Sequence, residues 1–281
     1  MVYYAAGPGG QDVPVYHFKP QEKLSSSNSS ILYIHGGGMI TGSVPALAPL
    51  ISDMANSTGL DVFAVEYADS TLIITSGNAD LFIRYRLASE HPHPALVSDF
   101  FGALSWLRDN AADFDLDPAR IVVYGESAGG GIAAGLALLA RDSGFYPPIA
   151  KQVLVFPMLD DRTTTPIPDL IPFATWTYED NMIAWTALLG EGLPRSEGVS
   201  AYAAPARAKS LAGLPPTYID VGELVIFRDE DMAYAMRLAA SDVPLEFHLY
   251  PGVPHGWDII GKDIEVTRRA YANRVRALTS A

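Results

Sequence analysis

The sequence predicts an α/β protein with a mostly parallel central sheet and helices on both faces. Three observations carry that prediction. Short apolar runs alternate with helical segments along most of the 281 residues. The runs are continuously apolar rather than alternating, as strands covered on both sides require. The segment 121–131, IVVYGESAGGG, reads as a buried strand, a tight turn and an apolar helix in direct succession.

In order, residues 13–18 alternate and read as an edge strand, and KLSSSNSS at 23–30 is a polar connection. ILYIH at 31–35 is a buried strand running into Gly36-Gly37-Gly38. A helix over 47–57 closes near Gly59, and DVFAVEY at 61–67 is the next strand. Residues 68–85 fit neither a helix nor a strand cleanly, although they carry Leu72-Ile73-Ile74 near a Gly-Asn turn. A proline-punctuated loop at 86–95 leads to an amphipathic helix over 96–110, and Asp117-Pro118 opens a short turn.

After the central strand and its helix, residues 152–156 form another buried strand and 158–168 a loop. Residues 173–189 carry Trp176, Tyr178, Trp185 and Leu188 and read as one or two helices. Strands at 217–221 and 245–250 and helices at 229–241 and 261–278 complete the alternation. There is no internal repeat and no interdomain linker. The expectation is one domain over 1–281, with a cap insertion at about 160–210 and an unusual insertion at about 68–85.

Composition narrows the function. Hydrophobic residues make up 49% and charged residues 18%, a globular balance with a large interior. A net charge of −13 argues against nucleic acid and anionic membrane surfaces as partners. Without cysteine there is no disulfide and no thiolate chemistry. No basic-then-apolar leader is visible, and the longest apolar stretch, 132–140, is too short to span a bilayer. A cytoplasmic protein is expected.

The chemistry centres on Gly125-Glu126-Ser127-Ala128-Gly129, which fits G-x-S-x-G. A strand turning sharply into a helix strains the serine backbone and lifts its hydroxyl to the positive end of the helix. The bare pattern is weak, because small residues recur by chance; the strand–turn–helix context gives it weight. His35-Gly36-Gly37-Gly38, also directly after a strand, suits an oxyanion hole made by the N–H groups of Gly37, Gly38 and Ala128. The competing reading is a phosphate loop or plain turn, but no G-x-G-x-x-G or P-loop lysine accompanies it. His35 itself reads as structural.

A base must come from further along. His255, in PGVPHGW at 251–257, lies in a loop after a strand and downstream of Ser127. His17 and His248 fall in strands and read as structural, and His91 and His93 sit in the proline loop. No histidine pair has metal-ligand spacing, so no metal is expected.

HGGG at 35–38, YRLASEHPHPA at 85–95, GESAGG at 125–130, GELVIFRDE at 222–230 and PGVPHGW at 251–257 together resemble the hormone-sensitive-lipase-like branch of the α/β-hydrolase esterases. The resemblance runs from Val13 onward. It implies the α/β-hydrolase fold, carboxylic-ester hydrolysis by a Ser-His-acid triad, and no cofactor. It also implies a cap built partly from the N-terminal segment.

Three departures stand out. The family's acid falls at position 225, which here is Val225. Valine accepts no hydrogen bond from imidazole; Glu223 is the substitute candidate, while Asp220 belongs to a strand and Asp229 to a helix cap. Loss of all acid function is the competing reading. Next, the family runs from its strand straight into the 85–95 motif, so Tyr67 and Tyr85 compete for one place and 68–85 reads as a retained intron or a true insertion. Ser89 also stands where the family usually has proline. Finally, the chain begins close to its first strand, implying a reduced cap and a more open pocket lined by Trp176 and Trp185.

The leading expectation is a serine carboxylesterase for small neutral esters, with Ser127 as nucleophile and His255 as base. Alternatives are a degenerate hydrolase fold that binds an apolar small molecule, motivated by Val225, and acyl transfer to a non-water acceptor. The expected partner is a small-molecule ester, with no nucleic acid or membrane span and a homodimer left open.

Overall fold

The computed structural model describes residues 1–281 apart from 9, 25–27, 67–70, 77–78, 85–87 and 89–90, and only the backbone of 71–76 and 79–84. In chain order the elements are β1 (Val2–Ala6), β2 (Asp12–Phe18), β3 (Ser30–Ile34), α1 (Val44–Thr58), β4 (Asp61–Val65), β5 (Thr71–Ser76) and β6 (Ala79–Arg84). Then come α2 (Ala95–Asp109), β7 (Ile121–Glu126), α3 (Ala128–Asp142), β8 (Lys151–Val155) and α4 (Tyr178–Leu189). The chain closes with β9 (Thr217–Gly222), α5 (Arg228–Ala240), β10 (Leu245–Tyr250), α6 (Trp257–Ile260) and α7 (Glu265–Thr279).

Eight strands form one sheet in the order β1-β2-β4-β3-β7-β8-β9-β10. From β4 to β10 every neighbouring pair is parallel, and β2 and β1 run antiparallel at one end. Every residue of β3 and β4 is buried, which is why both are apolar after their first residues, Ser30 and Asp61. Helices α1 and α7 pack together, as do α2 and α3, and these pairs cover the sheet that such strands require.

The sequence places an edge strand at 13–18, but the edge is β1, paired with β2 from Val2↔Tyr16 to Ala6↔Asp12. β1 is short and mostly exposed, so it lacks the apolar signal of a core strand. The helix expected over 261–278 is α7, which starts only at Glu265, and a short α6 precedes the expected span. The segment 173–189 likewise divides: a single turn at Ile171–Phe173 precedes α4. The reason is local, since Thr177 and Asp180 form a reciprocal capping box that starts α4 at Tyr178.

Within the expected insertion, β5 and β6 pair antiparallel from Thr71↔Arg84 to Ser76↔Ala79 as a separate two-stranded sheet. Tyr67, Tyr85 and Ser89 lie outside the described residues. Among the described residues no helix is long and apolar enough to cross a membrane.

Candidate active site

Strands β3, β7, β8, β9 and β10 run parallel, so their carboxyl ends meet at one edge of the sheet. The loops leaving that edge carry His35–Gly38, Ser127, Phe156, Val225 and His255 respectively. Open α/β sheets place their ligands along this edge. Residues far apart in sequence are thus brought together by topology alone.

Ser127 stands between β7 and α3 with φ 56° and ψ −121°, a conformation a side-chain-bearing residue rarely adopts. Its own N–H donates to the Val155 carbonyl at 2.9 Å, and its carbonyl accepts from Gly131 N at 3.1 Å and Met158 N at 2.9 Å. These bonds hold the bend. Gly125 is required because a Cβ there would lie 2.2 Å from the Gly129 carbonyl oxygen.

The loop after β3 folds over Ser127. Gly36 approaches so closely that a Cβ on it would stand 3.4 Å from the Ser127 Cβ. The Gly37 carbonyl accepts from Thr41 N at 2.8 Å and Ile40 N at 3.1 Å, closing a turn. Gly38 has φ 62°, and a Cβ on it would meet the Trp176 ring at 2.2 Å. His35 is fully buried, its Nδ1 2.7 Å from the Gly36 carbonyl and its Nε2 3.6 Å from Glu66, so it holds the loop as expected. Among the described residues the N–H groups of Gly37, Gly38 and Ala128 donate to no protein acceptor.

His255 is boxed by aromatic rings, with Phe156 edge-on at 4.7 Å and Phe227 at 5.4 Å between centroids. Phe156 directly follows Val155, which holds the Ser127 amide, so nucleophile loop and imidazole lie against the same strand end. Burial pushes the imidazole pKa down to about 4, against a smaller upward pull from the Asp258 charge. His255 is therefore neutral and can act as a base. Among the described residues no hydrogen bond joins its ring to Ser127 Oγ, and its Nδ1 is buried with no partner.

The missing partner is where the sequence departs from expectation. Val225 is fully buried, in a loop tied to the His255 loop by Glu223 N to Tyr250 O at 2.8 Å and Leu224 N to Val253 O at 3.1 Å. Glu223, the substitute acid expected from the sequence, is exposed and accepts from Gly252 N at 2.8 Å. Its carboxylate is engaged by that amide, and among the described residues no hydrogen bond joins it to His255. Asp220 is inside the sheet, bonded by both oxygens to Arg274 at 2.7 and 2.9 Å. Asp229 lies in the first turn of α5 on Arg228, without a side-chain cap bond.

The two aromatic pocket candidates separate. Trp176 is half-buried against Gly38, at the oxyanion-type loop. Trp185 is fully buried in the core beside Ala184 and Leu188 and presents no surface to a ligand. Its spacing on α4 is that of a packing residue. His17 bonds Asp61 at 2.7 Å and stacks on Phe63, and His248 bonds Glu246 at 2.6 Å, both structural as expected.

Comparison with known proteins places the fold and the family. The sequence profile described as alpha/beta hydrolase fold matches residues 75–259. Carboxylesterase NlhH of Mycobacterium tuberculosis is 33% identical over 276 residues, covering 96% of this chain and 80% of that protein. The chain belongs to the hormone-sensitive-lipase-like branch of the α/β-hydrolases. Esterase LipI of the same species is 32% identical over 260 residues, 89% of this chain and 72% of that protein. Among solved structures, a bacterial heroin esterase superposes with a TM-score of 0.86 at 35% identity, covering all of this chain and 83% of that one.

In this α/β-hydrolase several site neighbours escaped sequence reasoning. Phe156 and Phe227 desolvate His255, yet each reads in sequence as an ordinary core residue. Arg274 carries a better signal: on α7 it shares the buried stripe Thr267, Ala270, Arg274, Ala277 and Leu278, and a cation on an apolar stripe foretells a buried partner. It finds two, Asp220 and Asp258, the latter at 2.5 Å. Beside them Glu126 accepts from Tyr124 Oη at 2.6 Å, and burial, then the Asp258 charge, push its pKa up to about 7.

Proposed function

We propose that the chain is a serine carboxylesterase acting on small neutral carboxylic esters. The observation that carries it is the strained Ser127 at the amino end of α3, beside three unpaired amides, on the sheet edge that also bears His255. In this reading Ser127 Oγ attacks the ester carbonyl while His255 Nε2 takes its proton. The Gly37, Gly38 and Ala128 amides and the α3 dipole stabilise the oxyanion. Collapse of the tetrahedral intermediate breaks the C–O bond, His255 returns the proton to the leaving alcohol, and an acyl-Ser127 remains. Water, deprotonated by His255, then releases the acid and frees the serine.

The dry, neutral environment of His255 supports its role as base, and the half-buried Trp176 over Gly38 is suited to contact an apolar acyl group. The net charge of −13 disfavours anionic esters. A second reading rests on the unpartnered Nδ1 and Val225: the fold binds an apolar ester without turning it over.

Labelling with a fluorophosphonate and peptide mapping, together with turnover of a p-nitrophenyl short-chain ester, tests the two. The expected result is a label on Ser127 and hydrolysis reduced by about 10⁴-fold or more in Ser127→Ala. Equal rates for wild type and variant, or an unlabelled Ser127 in folded protein, would remove the esterase reading.

A further inference from the structure

Val225, at the usual acid position, is fully buried and offers His255 no hydrogen-bond acceptor from its side chain. Two buried polar atoms nearby lack partners and are complementary. One is His255 Nδ1; the other is Oδ1 of Asp258, three residues later at the start of α6. The intervening backbone is a tight turn, with Gly256 in the left-handed region at φ 67° and Trp257 N donating to the Pro254 carbonyl at 3.3 Å. Arg274, which holds Asp258, lies 5.6 Å over the Phe156 ring that packs edge-on against His255 at 4.7 Å, so Asp258 and the imidazole belong to one cluster.

Asp258 is also held in a way that leaves one oxygen available. Its Oδ2 is fixed by Arg274 Nη1 at 2.5 Å, while Arg274 Nε and Nη2 are taken by Asp220. A single guanidinium thus serves two carboxylates, and this buried group carries a surplus negative charge. Asp258 is the charged group that acts on the imidazole, and behind it stand Arg274 from α7 and, through Arg274, Asp220 from β9. Glu223 accepts from Gly252 N. Among the described residues Arg274 is the one cation paired with Asp220 and Asp258, and an imidazolium would supply a second.

We propose that Asp258 is the positioning carboxylate of His255, in place of the acid lost at Val225. This rests on the esterase reading above. Rotation of the Asp258 carboxyl, with Oδ2 kept on Arg274, brings Oδ1 to Nδ1–H as the imidazole takes up the Ser127 proton. The carboxylate stays ionised; it orients the ring and balances the imidazolium, and no proton moves to it. The acid has moved from the loop after β9 to the first turn after the histidine itself.

Steady-state hydrolysis of a p-nitrophenyl short-chain ester by the full chain tests this with Asp258→Asn, Val225→Asp and the double variant. Folding is checked by circular dichroism. Asp258→Asn is expected to lower kcat by about 10²–10⁴-fold with KM changed less than about threefold. Val225→Asp alone is expected to leave kcat within about threefold, because a carboxylate already serves the ring. In the Asp258→Asn background, Val225→Asp is expected to recover kcat by about tenfold or more, a rescue that loss of the Arg274 contact alone would not allow.

Three results overturn the proposal: a folded Asp258→Asn with wild-type kcat, a loss that Val225→Asp does not recover, or a gain of about 10²-fold on adding Val225→Asp to the wild type. The last needs no Asp258 variant, so it decides the matter even where Asp258→Asn does not fold. A wild type with no turnover and an unlabelled Ser127 would remove the esterase reading and this proposal together. An active wild type indifferent to Asp258→Asn would remove this one alone.

Discussion

Ser127 holds φ 56° and ψ −121° at a cost of about 1–3 kcal/mol, a strain the surrounding bonds from Val155, Gly131 and Met158 maintain. The benefit is a hydroxyl at a helix amino end beside unpaired amides. His255 complements it by being dry. Its pKa is depressed to about 4, mainly by burial, so the neutral base persists well below the ordinary value of 6.5. The acid limb of kcat/KM, which reports the free enzyme, is therefore expected below pH 6.5 and toward 4. A pH–rate profile checks it; a limb at or above 6.5 would report an imidazole already bonded to a carboxylate before substrate arrives. At this scale Ser127, the glycine loop and His255 were legible, because each needs a backbone shape that leaves a motif. The partner of Glu223 was not legible: its carboxylate accepts from Gly252 N, and which group a side chain meets depends on its direction, which spacing in sequence does not encode.

Helix α7 contributes to the site without touching the edge where the nucleophile stands. Through Arg274 it clamps Asp220 in β9 and Asp258 in α6, fixing the helix against the sheet and the turn after His255. The guanidinium and the Asp220 carboxylate are nearly or fully buried, so removing one partner leaves uncompensated charge. Arg274→Ala is expected to destabilise the fold by about 3–5 kcal/mol, measured by urea unfolding. A change below about 1 kcal/mol would mean that water reaches the two carboxylates. The periodicity of α7 was legible as a closing helix. Its partners were not, because a buried ion pair joins residues 54 positions apart and depends on how the sheet is packed. Helix α4 shows the reverse case: its capping box is written locally, yet only packing decides that Trp185 faces the core while Trp176, just before the helix, covers Gly38.

Across the whole molecule, buried carboxyls make stability depend on pH. Glu230, accepting from Leu159 N at 2.6 Å and Asp160 N at 3.1 Å, is pushed up to about 8 by burial, and Glu126 to about 7. Each keeps its proton when folded but loses it near its ordinary value of 4.5 when unfolded, so stability falls as pH rises through that window. His255 acts oppositely: from about 4 to 6.5 the unfolded chain binds a proton that the native state excludes, so stability there rises with pH. Above 6.5 only the carboxyls remain. The urea midpoint is expected to drop between pH 6.5 and 8, and Glu230→Gln to flatten that drop, by up to about 1.4 kcal/mol per pH unit. A midpoint constant over that range, or a drop untouched by Glu230→Gln, would contradict the assignment.

By itself the sequence determined the alternation of strands and helices, the bend that presents Ser127, the glycine loop and the histidine downstream, because each follows from local sterics and apolar periodicity. It also announced the loss of the usual acid, since Val225 cannot accept a hydrogen bond. Only the tertiary structure decided that β1 forms the edge, that Glu223 meets Gly252 N and Trp185 the core, and that Asp258, three residues after His255, shares Arg274 with Asp220. Those outcomes are set by which side chains meet after strands distant in sequence align, and by the cost of leaving charge unpaired once they do.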